Sequence, residues 1–135
     1  MQSFDQISEW VTQKYTVTVI EPFLLCLELS IDHGKRHQSV FLSEMIDQDG
    51  IKILRISTIV ADAKHAKSLH KALAFNWQSR CGYLALNQMD EKTYLNLCEN
   101  RPYAGLNMNE LERLILGIGG MGDSIEKQLQ TSDTF

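Results

Sequence analysis

The sequence predicts an α+β fold, an antiparallel sheet of about five strands carrying an N-terminal, a middle and a C-terminal helix. Three observations lead there. Residues 54–86 pass from a β-branched strand pattern to a helical pattern and back again. Strand-like runs follow one another across short segments of turn chemistry, the way antiparallel neighbours are joined. Helical apolar stripes at both ends of the chain need a sheet to cover.

Ser3 followed by Gln6 forms a capping box, and Phe4, Ile7, Trp10 and Val11 then recur at helical spacing, which predicts a helix over residues 3–14. Residues 15–20 are β-branched and alternate, an optional short strand ended or bent at Pro22. In residues 23–31, Phe23, Leu25, Leu27, Leu29 and Ile31 make one wholly apolar face. The other face, Leu24, Cys26, Glu28 and Ser30, is apolar for half its length. Asp32, His33 and Gly34 have turn chemistry, and residues 38–47 resume a looser strand pattern.

Asp47-Gln48-Asp49-Gly50 closes the next hairpin. Residues 51–60 then alternate Ile51, Ile53, Arg55, Ser57 and Ile59 against Lys52, Leu54, Ile56, Thr58 and Val60. A strand apolar on both faces belongs in the middle of a sheet. Asp62 is placed to cap a helix ending near Asn76, whose sector of Ala63, Ala66, Leu69, His70 and Leu73 is expected to face the sheet. Residues 83–87 and 93–98 read as two strands joined by a hairpin loop over 88–92. Asn107, with Glu110 three residues on, caps the last helix. Leu111, Leu114, Ile115, Ile118, Gly122, Ile125 and Leu129 keep one face of that helix to about residue 130.

With 135 residues, 44% hydrophobic and 22% charged, and only two prolines, the chain fits a single domain over residues 1–135 with one core. The N-terminus has neither a basic region nor an apolar run, and no segment approaches the roughly 20 apolar residues of a membrane span. A cytoplasmic protein is expected. Cys26, Cys81 and Cys98 form no close pair and no CxxC, which argues against a disulfide framework or zinc site. A formal net charge of −4 gives no general attraction to nucleic acid or to an anionic bilayer.

Each stretch that could carry chemistry has a plainer reading. Gly117, Gly119 and Gly122 match the letters G-x-G-x-x-G, but the pattern falls inside a capped helix, too near the end of the chain for the βαβ unit of a dinucleotide site. No cofactor is expected. The run of Gly117, Gly119, Gly120 and Gly122 then either kinks the helix or lets its backbone pack closely on the sheet or a partner; the unbroken phase of the apolar face favours close packing. Asp47, Asp49 and Gly50 resemble part of a calcium loop, yet aligning Gly50 puts Met45 and Ile56 at ligand positions. His65 and His70 are five apart on a helix and His33 and His37 flank a turn, so no metal site is expected. Lys64, Lys67 and Lys71 line the outward face of the middle helix. They are either a solvated face or a basic stripe for an acidic partner; net acidity disfavours nucleic acid.

Ile56-Ser57 before a helix, Leu73 to Asn76-Trp77 at its end, Gly82-Tyr83-Leu84-Ala85-Leu86, and Leu106-Asn107 through Glu110-Leu111 resemble the YbjN-like family. That family carries a proposed role in bacterial sensory transduction, and its fold is that of the type III secretion chaperones. The resemblance implies a small, acidic, cytoplasmic protein, usually dimeric, without an established active site. Combined with strands apolar on both faces, it predicts a non-enzymatic protein-interaction module, chaperone-like or regulatory. Such a module would bind a segment of an unidentified protein through its sheet or dimer groove, with Lys64, Lys67, Lys71, Gly117, Gly119 and Gly120 as candidate contacts. The alternative is a small-molecule sensor or minor enzyme with a pocket between the last helix and the sheet.

Overall fold

The computed structural model describes residues 3–62 and 69–131. Ser3 caps α1 (Phe4–Lys14), its side chain accepting from the Gln6 N–H. Four strands follow: β1 (Thr16–Glu21), β2 (Leu24–Ile31), β3 (Arg36–Ile46) and β4 (Lys52–Asp62). After α2 (Leu69–Gln78) come β5 (Tyr83–Met89), β6 (Lys92–Pro102) and α3 (Met108–Thr131). The sheet among the described residues has six strands in the order β1-β2-β3-β4-β6-β5, each neighbouring pair antiparallel.

Six strands replace the expected five because the optional one forms. β1 pairs with β2 from Thr16–Glu28 to Glu21–Leu24 across a bulge between Val17 and Val19. Pro22 and Phe23 make the turn, with Phe23 at φ 65°, so Phe23 leaves the apolar face of β2 and is exposed. The β5–β6 loop is tighter than expected. Both strands extend inward until Asp90 and Glu91 alone connect them, both at positive φ, as a two-residue hairpin turn matched to strand twist requires. Asp47 accepts from the Asp49 and Ile51 N–H groups, so the stretch that resembled a calcium loop is an Asx-type turn. Asp62 closes β4 opposite Tyr94.

α3 lies across β2, β3, β4 and β6. Leu111, Leu114, Ile115 and Ile118 are completely buried against Leu25, Leu27, Leu42, Leu54, Ile56 and Leu97, each contributing about 1.5–3 kcal/mol of burial. Asn107 accepts from the Glu110 N–H at 2.9 Å, starting the helix as expected. At the β1 end, α1 buries Phe4, Ile7 and Val11, and its last turn joins α3 through Lys14 Nζ and Glu112 at 2.8 Å.

The glycine run lies within one unbroken α-helix, so the helix does not stop there. A Cβ on Gly119 would overlap the Leu29 side chain, and one on Gly122 would overlap the Thr58 methyl. Leu29 is flexible at that end. Thr58 is not: it is β-branched, its hydroxyl donates to Ser39 O at 2.7 Å, and it accepts from Gln38 Nε2 at 2.7 Å. Gly120 meets nothing within 4 Å and is exposed.

Those two hydrogen bonds close a gap. β3 and β4 pair from Phe41–Ser57 to Ile46–Lys52, beyond which no pairing continues. Gln38 also reaches Ile59 O at 3.3 Å. A cavity of about 300 Å³ remains beside it, lined by His37, Gln38, Ser39, Phe41, Ile59 and Glu126. Burial raises the Glu126 carboxyl above the ordinary Glu value, against the Gln38 hydrogen bond that lowers it and with the Asp123 charge adding to the rise.

Gly122→Leu is expected to destabilise the protein by about 1–3 kcal/mol or more through overpacking. Gly120→Ala should stabilise it by about 0.5–1 kcal/mol. Thermal or urea unfolding of the two variants measures the contrast. Because the folded pKa of Glu126 lies above its unfolded value, this group favours the fold fully only at low pH and loses that contribution as pH rises through the raised value. Glu126→Gln is therefore expected to melt above the wild type at pH 7, with the difference vanishing below about pH 4. Melting curves across that range check it.

Candidate functional site

The sheet has two edges, β1 and β5. Edge strands present unpaired main-chain groups, so the way each is protected indicates where another chain could add. β1 is bulged, carries Glu21 at its end, and has the Thr18 hydroxyl folded back on Cys26 O at 3.3 Å. Among the described residues, β5 is protected by one side chain. Asn76 of α2 accepts from the Leu84 N–H at 2.6 Å and donates to Leu84 O at 3.1 Å, acting as a one-residue stand-in for the missing strand.

β5 pairs with β6 in unbroken register. With a repeat of two, the main-chain groups of Leu86 and Gln88 point to the same open side as those of Leu84. The Leu86 side chain is 50% exposed, and Met89 follows at the strand end.

The clamp also sets the rotation of α2 about its axis. Asn76 must meet β5, which turns Ala72 and Phe75 inward: Ala72 is buried and Phe75 packs on the core. The expected inward sector is therefore wrong. Leu69 is 71% exposed, Leu73 67% and Trp77 90%, and His70 is exposed too. These three apolar residues fall four apart and form a stripe bordering Asn76. The sequence pattern misled because the larger apolar residues lie on that stripe, and a polar residue near a helix end carries no sign that it binds the next strand. Ala63 and Ala66 of the expected sector lie outside the described residues.

Lys64, Lys67 and His65 also lie outside the described residues. Lys71 is exposed on α2, about 160° around the axis from the centre of the apolar stripe. Gly119 is buried against β2 and β3, whereas Gly117 and Gly120 are on the solvent side of α3, beside exposed Leu116 and Met121. The structure thus divides the candidate residues between two helices instead of gathering them. His33, His37 and His70 are exposed, and no group of three or more His, Cys, Asp or Glu among the described residues is placed to hold a metal. Cys26, Cys81 and Cys98 are free thiols. No helix among the described residues is long and apolar enough to cross a membrane.

No family model matches the chain, and no curated protein does. Among solved structures, it is similar to the crystal structure of YbjN from E. coli, described there as a proposed transcription regulator. The TM-score is 0.65 over 96% of this chain and 93% of that one, at 12% identity. At that identity the likeness is one of fold, and at the level of fold it bears out the resemblance read from the short sequence patches.

Asn76→Ala is expected to cost about 1–3 kcal/mol, since it strips both partners from Leu84. It should also speed exchange of the Leu84 amide with solvent. Denaturant unfolding combined with amide exchange measures both.

Proposed function

We propose that this protein is a non-enzymatic interaction module, chaperone-like or regulatory, that works in the cytoplasm as a homodimer and holds a segment of another protein. The single observation that carries the reading is the apolar stripe of Leu69, Leu73 and Trp77 beside a β5 edge with open main-chain positions at Leu86 and Gln88. Isolated exposed apolar residues are common and need no explanation. A spaced stripe with a tryptophan 90% exposed, bordering an open strand edge, is the arrangement that gains most from being covered.

Strand addition supplies main-chain hydrogen bonds, and apolar side chains on either side supply affinity. A second copy brings the same stripe and the same edge, so the contact can be self-complementary. The two β5 edges or the groove between the α2 helices would then receive a partner segment. The likeness in fold to YbjN is compatible with a regulatory role. Two of the glycines and the acidic turn have structural duties: Gly119 and Gly122 permit close packing of α3, and Asp47 ties a turn.

The wild-type protein at tens of micromolar is expected to sediment with the mass of two chains. The double variant Leu73→Asp, Trp77→Asp should sediment as one chain with an unchanged circular dichroism spectrum. A wild-type monomer, or a double variant that stays dimeric, would refute the proposed interface.

A further inference from the structure

The face of the sheet turned away from α3 holds a hollow of about 180 Å³ between β4, β6 and β5. Register creates it. Ser57 pairs with Cys98, and Asn96 with Ala85, so short side chains lie at the bottom, while Arg55, Tyr83 and Asn87 rise around them. Asn96 and Cys98 are both 5% exposed.

Arg55 is half-buried, and among the described residues no carboxylate pairs with it. Its Nε donates to Asn100 Oδ1 at 3.3 Å, and Asn100 Nδ2 donates to the Tyr83 hydroxyl oxygen at 2.8 Å. This relay holds the guanidinium through Nε and leaves its two terminal nitrogens, together with the Tyr83 hydroxyl proton, to donate elsewhere. Across the hollow, Asn96 Nδ2 donates to Asn87 Oδ1 at 2.5 Å and to Tyr94 O at 3.2 Å, so the Asn87 amide nitrogen also remains a donor. Burial pushes the Cys98 thiol up, against the pull of Arg55 and with the Glu99 charge adding to the rise, so the thiol itself carries no negative charge at neutral pH.

Donors thus exceed acceptors around a guanidinium that no carboxylate pairs among the described residues. Holding a partly desolvated cation without a counter-charge is costly, and an oxyanion would offset that cost. The planar fork of a guanidinium matches a carboxylate through two parallel hydrogen bonds, and one positive charge balances a carboxylate better than a phosphate dianion. The volume lies below the roughly 300 Å³ where sites for drug-sized ligands begin, which restricts the ligand to a compact molecule.

We infer that the hollow between Arg55, Tyr83 and Asn87 binds the carboxylate of a compact organic acid. The hollow opens on the sheet face away from α3 and its donors all come from one chain, although Leu86 of the β5 edge also lines it.

The test is a titration of the ¹⁵N-labelled full chain with the monocarboxylates glycolate and L-lactate, or with inorganic phosphate, at constant ionic strength, followed by NMR. Saturable shifts at Ser57, Asn96, Cys98 and the Arg55 Nε–H with a carboxylate are expected, with phosphate weaker. Arg55→Gln should weaken the binding at least tenfold. Asn100→Asp, which gives Arg55 an internal carboxylate and preserves the shape of the side chain, should do the same, and exposed Arg80→Gln should leave it unchanged. Absence of saturable shifts, tighter binding of phosphate than of either acid, or full binding in a folded Arg55→Gln or Asn100→Asp variant would overturn the inference.

Discussion

The backbone of α3 lies against the sheet where Gly119 meets Leu29 and Val40 and Gly122 meets Thr58, and the other elements are arranged around that contact. One helix touching four strands hides the apolar face of β2, β3, β4 and β6 only if its axis comes close, and a side chain at Gly122 would hold it off. The same approach places Asp123 next to β3, where it accepts from Arg36 at 3.0 Å, and keeps Thr58 between the helix and the Gln38 amide. Where β3 and β4 part, the side chains of Gln38 and Thr58 replace the ladder bonds, so the gap is crossed without orphaned polar groups at Ser39 O and Ile59 O.

With the centre of the sheet covered by α3, the other two helices serve the flanks. α1 has a true core face and buries three large residues; α2 has little left to cover. It buries Ala72, leans Phe75 on the core and spends Asn76 on the β5 edge. The rotation that satisfies Leu84 exposes Leu69, Leu73 and Trp77. The two main-chain hydrogen bonds of Asn76 act together with the burial of Ala72 and Phe75 in orienting this helix. The proposed interaction surface is a consequence of that orientation.

How much of this was legible from residues alone follows from what each pattern encodes. α1, β2, β4 and α3 were readable because a repeat of two or 3.6 with a cap or turn residue directly reports burial: Ser3 and Asn107 cap as expected, and Leu111 to Ile125 face the core. The packing role of Gly122 was readable from the uninterrupted phase of that face. The orientation of α2 was not, because it depends on Asn76 meeting Leu84, a contact between side chain and main chain that leaves no periodic trace. Nor was the Arg55 hollow. In the sequence Arg55 and Ser57 are simply the polar positions on one face of a strand apolar on both, and only the register against Asn100 and Cys98 brings them into one site.

The two surfaces outside the core differ in chemistry. The α2–β5 flank is apolar with an open strand edge, while the far face of the sheet is polar around one guanidinium. Amide hydrogen exchange measured at low and at high protein concentration tests the central claim most directly, since it reports which edge another copy covers. The account predicts that exchange slows with concentration at Leu86, Gln88 and the α2 amides, and stays unchanged at Val19 and Ile20 on the β1 edge. Protection appearing on β1 instead, or no dependence on concentration at β5, would contradict it.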